Sequence, residues 1–258
     1  MDDPYAALAR FYDRAVGADG PDLAFYLALA RRTGGPVLEI GAGTGRVAVP
    51  LARAGYEVIA VEPSAAMRAE GEARAVAAGV ALTWVAERAE LLAPSQRRYA
   101  LVLCALDTFL HFGDGPAQRA VLDRVRDLLL PDGLLVLDLP ALAAWWDWQP
   151  GVRPLELLSC ERDPATGQTV AHYTTFTVDP ASQTRHVTQV FEETAPDGTS
   201  RKWFAHYPLR FVGRYELEFL LAQSGFALDA LYGDYDLGAL DAESERMIVL
   251  ARRARRTA

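Results

Sequence analysis

Three glutamates, Glu39, Glu62 and Glu87, each follow a short apolar run in the first half of the chain. Glu39 also precedes three glycines at alternate positions, in Val37-Leu-Glu-Ile-Gly-Ala-Gly-Thr-Gly-Arg46. Glycines at a strand-to-helix turn tolerate positive φ and leave no Cβ between the backbone and a ligand. The loop therefore suits a ligand lying flat against Gly41, Ala42, Gly43 and Gly45. A carboxylate beside it, at Glu39, repels a pyrophosphate and attracts an ammonium group. Glu62 stands where a carboxylate can accept the hydroxyl protons of a ribose, a role shared with dinucleotide sites. Glu87 stands where an adenine amino group can be received.

Two familiar nucleotide loops do not match. The dinucleotide fingerprint wants a glycine at position 46, which is Arg46. The phosphate-cradling loop wants G-K-[ST], which does not follow. A ligand with a cationic amino-acid end and a nucleoside end fits better, and S-adenosylmethionine (SAM) has both, with a sulfonium charge besides.

Further residues could act on an acceptor. Asp107 and His111, in Asp107-Thr-Phe-Leu-His111, follow the fourth apolar run. Ligands of open α/β sheets bind at that carboxyl side. A histidine with a pKa of about 6.5 suits proton transfer at neutral pH. Packing or capping in the next turn is the alternative for both. Trp145, Trp146 and Trp148 either wall an acceptor pocket or anchor the segment that follows. Arg210, Tyr215 and Tyr235 flank places where the chain returns to the same side. His111, His172, His186 and His206 lack metal-ligand spacing, so no metal is expected.

These residues need a scaffold, and periodicity supplies one. Short β-like runs at 37–41, 56–61, 81–86, 99–106 and 133–139 alternate with helical stretches at 45–54, 64–78 and 116–130. Such alternation predicts parallel βαβ units with helices on both faces. Ahead of them, 4–15 and 22–32 read as helices forming a cap over 1–35. From about 153 the chain turns rich in Thr, Val, Phe, Tyr and Trp, with turns near 163–167, 179–183 and 196–198. That pattern predicts an antiparallel meander over 153–212, inserted before a last helix (215–224) and strands at 226–232 and 246–251. The expected fold is a doubly wound, seven-stranded, mostly parallel Rossmann-like sheet. Its core comprises 36–152 and 213–258, and the meander serves either the substrate side or a homodimer surface.

The motifs now have a family. Glu39-Ile-Gly-Ala-Gly-Thr-Gly45 resembles the first motif of class I SAM-dependent methyltransferases, and Val61-Glu-Pro-Ser64 with Met67 resembles their second. Ala86-Glu-Arg88 lies where they read adenine, and Cys104-Ala-Leu-Asp-Thr108 resembles the motif facing their methyl donor. The likeness is nearest to small-molecule types, including glycine and amino-sugar N-methyltransferases. Glu87 departs from the commoner aspartate, and Leu134 stands where a second glycine is usual. The resemblance implies that Glu39 orients the methionyl amino group and Glu62 with Pro63 holds the ribose side. Met67, Glu87 and Arg88 would meet adenine, Ala105 and Leu106 the methionyl backbone, and Tyr12 would belong to an N-terminal cofactor cap.

The implied chemistry is a one-step, in-line displacement onto a small-molecule acceptor, nitrogen favoured over oxygen, releasing S-adenosylhomocysteine. Alignment alone supplies on the order of 7–11 kcal/mol in such reactions, so no catalytic triad is required. An NAD-dependent oxidoreductase and a SAM-binding module without catalysis are the competing readings. The 258 residues carry a formal net charge of −8, which argues against a general nucleic-acid binder. Cys104 and Cys160 make no disulfide framework, no apolar run approaches the roughly 20 residues of a membrane span, and a cytoplasmic protein is expected.

Overall fold

The computed structural model describes residues 3–17, 19–93, 96–142 and 151–254. After helices α1 (Ala9–Val16) and α2 (Pro21–Thr33), the chain enters parallel strands β1 (Val37–Ile40) and β2 (Val58–Val61), joined by α3 (Ala48–Arg53). Helix α4 (Ala65–Ala77) leads to β3 (Thr83–Val85). The chain then crosses to the other side of β1 to form β4 (Tyr99–Cys104), and α5 (Gly115–Leu128) leads to β5 (Leu129–Pro140). The strand order therefore reverses between β1 and β4. In open α/β sheets the crevice outside the carboxyl ends at that point is where ligands bind.

A second sheet follows. β6 (Gly151–Val152) and β7 (Glu156–Arg162) both pair with β8 (Thr169–Asp179). β9 (Thr184–Thr194) and β10 (Ser200–Arg210) complete an antiparallel meander. Helix α6 (Arg214–Gln223) and antiparallel strands β11 (Phe226–Tyr232) and β12 (Arg246–Arg253) then finish the first sheet. Its seven strands run β11-β12-β5-β4-β1-β2-β3.

Alternation along the strands explains the layers. Leu38, Ile40, Val102, Leu135 and Leu137 pack on the side of α5 and α6, with Val121, Leu122, Leu217 and Leu221. Val37, Leu101, Leu103, Leu134 and Val136 face the other way, against Phe25, Tyr26 and Leu29 of α2 and Leu51 of α3. Strands covered on both faces read as continuous apolar runs, which is why these segments carried so little polar punctuation. Two helices begin on side-chain caps: Ser64 accepts the Met67 N–H (3.1 Å) and Asp114 the Ala117 N–H (3.0 Å). Such caps contribute about 1 kcal/mol each.

The seven-stranded, mostly parallel sheet and separate antiparallel sheet follow the expected fold. Local differences have physical causes. The first helix after the glycine loop is shorter than 45–54, because successive positive-φ glycines delay regular helix until Ala48. The turn at Pro131-Asp-Gly133 falls inside β5 as a bulge, where pairing jumps from Tyr99–Leu129 to Leu101–Leu134. β6 is a short edge segment with no alternation to announce it.

Candidate active site

The three loop glycines adopt φ of 69°, 56° and 71° at Gly41, Gly43 and Gly45. Their surroundings differ. A Cβ on Gly41 would collide with the Thr108 side chain, and one on Gly45 would meet Val49 at 3.1 Å and Trp84 at 3.4 Å. Gly43 has only the Tyr12 ring nearby, at 3.9 Å. Gly41 and Gly45 thus permit close packing of the protein, while Gly43 faces open space beneath Tyr12.

Backbone hydrogen bonds join this loop to the end of β2. The Gly41 and Ala42 N–H groups donate to the Val61 carbonyl (2.9 and 3.0 Å). The Glu62 carboxylate accepts the N–H of Gly43 (2.9 Å) and of Ser64 (2.8 Å). Burial pushes the Glu62 pKa up, and those two amides oppose the shift. Glu39 is almost wholly buried, and its Oε2 has no hydrogen-bond partner. Its pKa is raised to about 8, chiefly by burial, with Arg46 acting against the rise and Glu62 adding to it.

Arg46, where a dinucleotide loop has glycine, is itself buried and paired with Asp22, one contact being Nη1–Oδ1 at 3.2 Å. That pair ties α2 to the loop. α1 is tied down too: the Thr44 hydroxyl donates to Asp13 (2.6 Å), which also pairs with Arg74 of α4. These contacts hold Tyr12 over Gly43. Burial raises the Tyr12 phenol to about 12, so it stays protonated.

The adenine-side expectations fall on the end of β3. Glu87 Oε1 accepts the Arg88 N–H (3.0 Å), and the Arg88 guanidinium donates to Glu90 (2.6 Å). Pro63 is exposed, its carbonyl accepting from Arg68 (2.9 Å). Met67 is buried in a cluster with Leu8, Phe11 and Phe191. It supports the site from behind α1.

After β4 the chain makes an unusual turn. Leu106 and Asp107 both adopt left-handed conformations, φ 42° and 64°. Non-glycine residues held in this way cost about 1–3 kcal/mol each, and such strain gathers at functional sites. The preceding Ala105 is buried in the core. Asp107 donates its N–H to the Asp138 carbonyl (3.0 Å), and Thr108 covers Gly41, so the turn abuts the glycine loop. The Asp107 carboxyl is raised by burial, with Arg246 opposing; its Oδ1 lies 2.8 Å from Arg246 Nη2. That contact lacks hydrogen-bond geometry, and the Asp107 side chain keeps 36% of its exposure.

His111 ends the short 3-10 turn Thr108–His111. Its Nδ1 lies 2.7 Å from the Tyr5 hydroxyl, and its ring sits 5.5 Å from that of Tyr207. Burial lowers its pKa to about 4, so the imidazole is uncharged at neutral pH. Tyr5 stacks on Tyr207 at 5.3 Å. Tyr207 accepts from Gln189 (2.5 Å), which in turn meets His172 (3.1 Å). Nothing in the sequence pairs Tyr5 or Tyr207 with His111. Only the folded chain brings them to His111.

The expected acceptor residues scatter. Arg210 binds Gln118 (2.9 Å), Gln183 (3.1 Å) and Glu216 (2.6 Å), joining β10 to α5 and α6. Tyr235 donates to buried Asp138 (2.8 Å). Tyr215 is 77% exposed and lines an apolar cavity of about 810 Å³ with Ala141, Leu142, Phe211 and Met247. None of that cavity's lining comes from the glycine loop or the Asp107 turn. Trp145 lies outside the described residues. Among the described residues no cluster of His, Cys, Asp and Glu is placed to hold a metal ion, and no helix is long and apolar enough to cross a membrane.

Comparison with known proteins agrees with this geometry. Residues 37–133 match the family model of a methyltransferase domain. The ubiquinone biosynthesis O-methyltransferase of Azorhizobium caulinodans is 31% identical over 101 residues, covering 39% of this chain and 38% of its own. The match thus spans well under half of that curated relative. The structure of the CcbJ methyltransferase from Streptomyces caelestis superposes with a TM-score of 0.83 at 25% identity, covering 98% of this chain and 100% of that one. SAM-bound CalS10, an amino pentose methyltransferase from Micromonospora echinaspora, gives 0.69 at 21%, covering 96% and 97%. Residues 37–133 match a methyltransferase domain, and the fold is that of enzymes that use SAM as their cofactor. The residues present fit that cofactor: a buried carboxylate oxygen without a partner, open space over Gly43 where a side chain would stand, and a second carboxylate at the end of β2.

Proposed function

We propose that this SAM-dependent methyltransferase transfers its methyl group to a nitrogen of a small-molecule acceptor. Glu39 holds the ammonium of the cofactor, directly or through water, and Glu62 holds the ribose hydroxyls. The backbone of Gly41, Ala42 and Gly43 passes beneath the cofactor, with Tyr12 above. Pro63, Glu87 and Arg88 line the adenine side, supported from behind by Met67. Ala105 and Leu106 contribute backbone near the methionyl end. Gly45 serves the fold of the loop. The N-terminal segment caps the cleft, and the inner face of the 153–212 sheet closes the acceptor side. Arg210, Tyr215 and Tyr235 act at most through the walls they support.

Bound SAM supplies a methyl group on a positively charged sulfur and leaves as the neutral thioether S-adenosylhomocysteine. As the new bond forms, positive charge grows on the acceptor nitrogen, and a carboxylate at Asp107 is placed to attract it. His111, uncharged, donates its Nδ1–H to the Tyr5 hydroxyl and so offers Nε2 to accept a hydrogen bond from the acceptor N–H. The aromatic rings of Tyr5, Tyr12 and Tyr207 exclude water and fix the angle of approach, where alignment is worth most.

One observation carries the choice of nitrogen over oxygen: His111 is buried among aromatic rings with its pKa lowered to about 4. A base that weak does little for a hydroxyl, whereas an amine that binds in its unprotonated form, its proton already lost to water, brings its own lone pair. KedS8 from Streptoalloteichus, a sugar N-methyltransferase of the same fold, is in keeping with this reading. Incubation with SAM and a panel of amino sugars and amino acids, each beside its hydroxyl counterpart, tests it by mass spectrometry. S-adenosylhomocysteine should form with amines and the methyl group should be found on nitrogen. Turnover confined to the hydroxyl compounds would remove the assignment.

A further inference from the structure

Beside the Asp107 turn lies a group of charges whose centre, Asp138, takes no part in the proposed methyl transfer. Asp138 on β5 is fully buried, and its carboxylate is completely satisfied. Oδ1 accepts Arg246 Nε (2.9 Å) and Nη2 (2.5 Å), while Oδ2 accepts the hydroxyls of Tyr26 (2.5 Å) and Tyr235 (2.8 Å). The same Arg246 Nη2 reaches Asp107 Oδ1. One guanidinium thus serves two carboxylates, and with both ionised the group carries a net negative charge. Asp138 is enclosed by donors, so the excess falls on Asp107, whose Oδ1 is buried beside Arg246 while its side chain as a whole is 36% exposed.

A plain strand clamp is a poor account of this arrangement. β5 and β12 already pair continuously from Arg246–Pro140 to Arg252–Leu134. Burying an ion pair for stability alone is seldom better than packing apolar groups of similar size. The arrangement does act on Asp107. Asp138 holds the Asp107 N–H through its backbone carbonyl and holds Arg246 through its carboxylate, so both ends of Asp107 depend on one residue of β5. Leu106 and Asp107 stay left-handed under that restraint, and Thr108 then seats on Gly41. The other ionisable groups felt across the space by Asp107 are the phenols of Tyr12 and Tyr207, both raised and uncharged.

We propose that Arg246, seated on Asp138, is a positioning residue that fixes the Asp107 carboxylate toward the cofactor cleft, so that the site favours positively charged SAM over its neutral product. Product release then follows from the chemistry itself. Once the methyl group and its charge have left the sulfur, the attraction that held the donor is gone. The inference rests on the reading of the glycine loop as the SAM site.

The test requires no acceptor. Calorimetry on the full chain gives the ratio of SAM to S-adenosylhomocysteine affinity. In Arg246→Gln that ratio should fall about tenfold, although loss of a cation alone would raise it. Arg246→Lys should restore part of the ratio, and Asp107→Asn should lower it by a similar factor. Adding Arg246→Gln to Asp107→Asn should lower it no further. A ratio unchanged or raised in Arg246→Gln, or unchanged in Asp107→Asn, overturns the positioning role. Asp107→Asn decides the matter if Arg246→Gln does not fold. Wild-type protein that binds neither nucleoside overturns the SAM reading itself, a different failure from an unaltered ratio.

Discussion

The two ends of the cleft are built by different means. At the cofactor end, backbone amides and carboxylates from a short stretch of sequence do the work: β1, the glycine loop and Glu62 are joined by hydrogen bonds between near neighbours in the chain. At the acceptor end, rings from distant segments meet. Tyr5 finds His111 across 106 positions and stacks on Tyr207 at 5.3 Å. On the proposed reading, the cofactor meets rigid local geometry, and the acceptor meets side chains that can change without disturbing the loop.

Substitutions can break that division. The largest effect is expected where α1 packs on the second sheet. Phe191, fully buried, stacks on Phe11 and on His172 (4.2 Å). Phe191→Ala should lower folding stability by about 3–5 kcal/mol while changing SAM affinity less than tenfold. Denaturant titration alongside calorimetry measures both, and a parallel collapse of SAM binding would join the two ends into one unit. A smaller effect is expected at the cofactor end. Gly41→Ala forces a Cβ into Thr108 at φ 69° and should destabilise by about 1–2 kcal/mol. Its SAM affinity should fall by about tenfold or more, because the Asp107 turn must shift. Unchanged affinity would show that the loop and the turn are not coupled.

The same division explains what could be read from the sequence. Alternation and glycine punctuation announced the strands because burial on both faces leaves so few choices of residue. Glu39, Glu62 and the glycines were legible because their spacing is local. Arg46 could be excluded as a dinucleotide glycine, yet its partner Asp22 could not be named, since the pairing depends on how α2 packs. Arg210 read as a cleft residue from its place at the end of a strand. Folding instead gives it Gln118, Gln183 and Glu216. Nothing about a leucine signals the left-handed Leu106, and no periodicity could pair Asp138 with Arg246 across 108 positions.

The central claim is that a buried carboxylate waits behind the glycine loop for the ammonium of SAM. Unliganded Glu39, with its pKa raised from the usual carboxylate range to about 8, is mostly protonated at pH 7. The folded chain therefore holds a proton there that the unfolded chain releases, and this contribution to stability is lost as pH rises toward 8. An ammonium beside Glu39 lowers its pKa and expels that proton. Calorimetric titration of SAM at pH 7, in buffers of different ionisation enthalpy, should show release of about one proton, absent in Glu39→Gln. Binding of SAM with no proton release, or release undiminished in Glu39→Gln, would contradict the account.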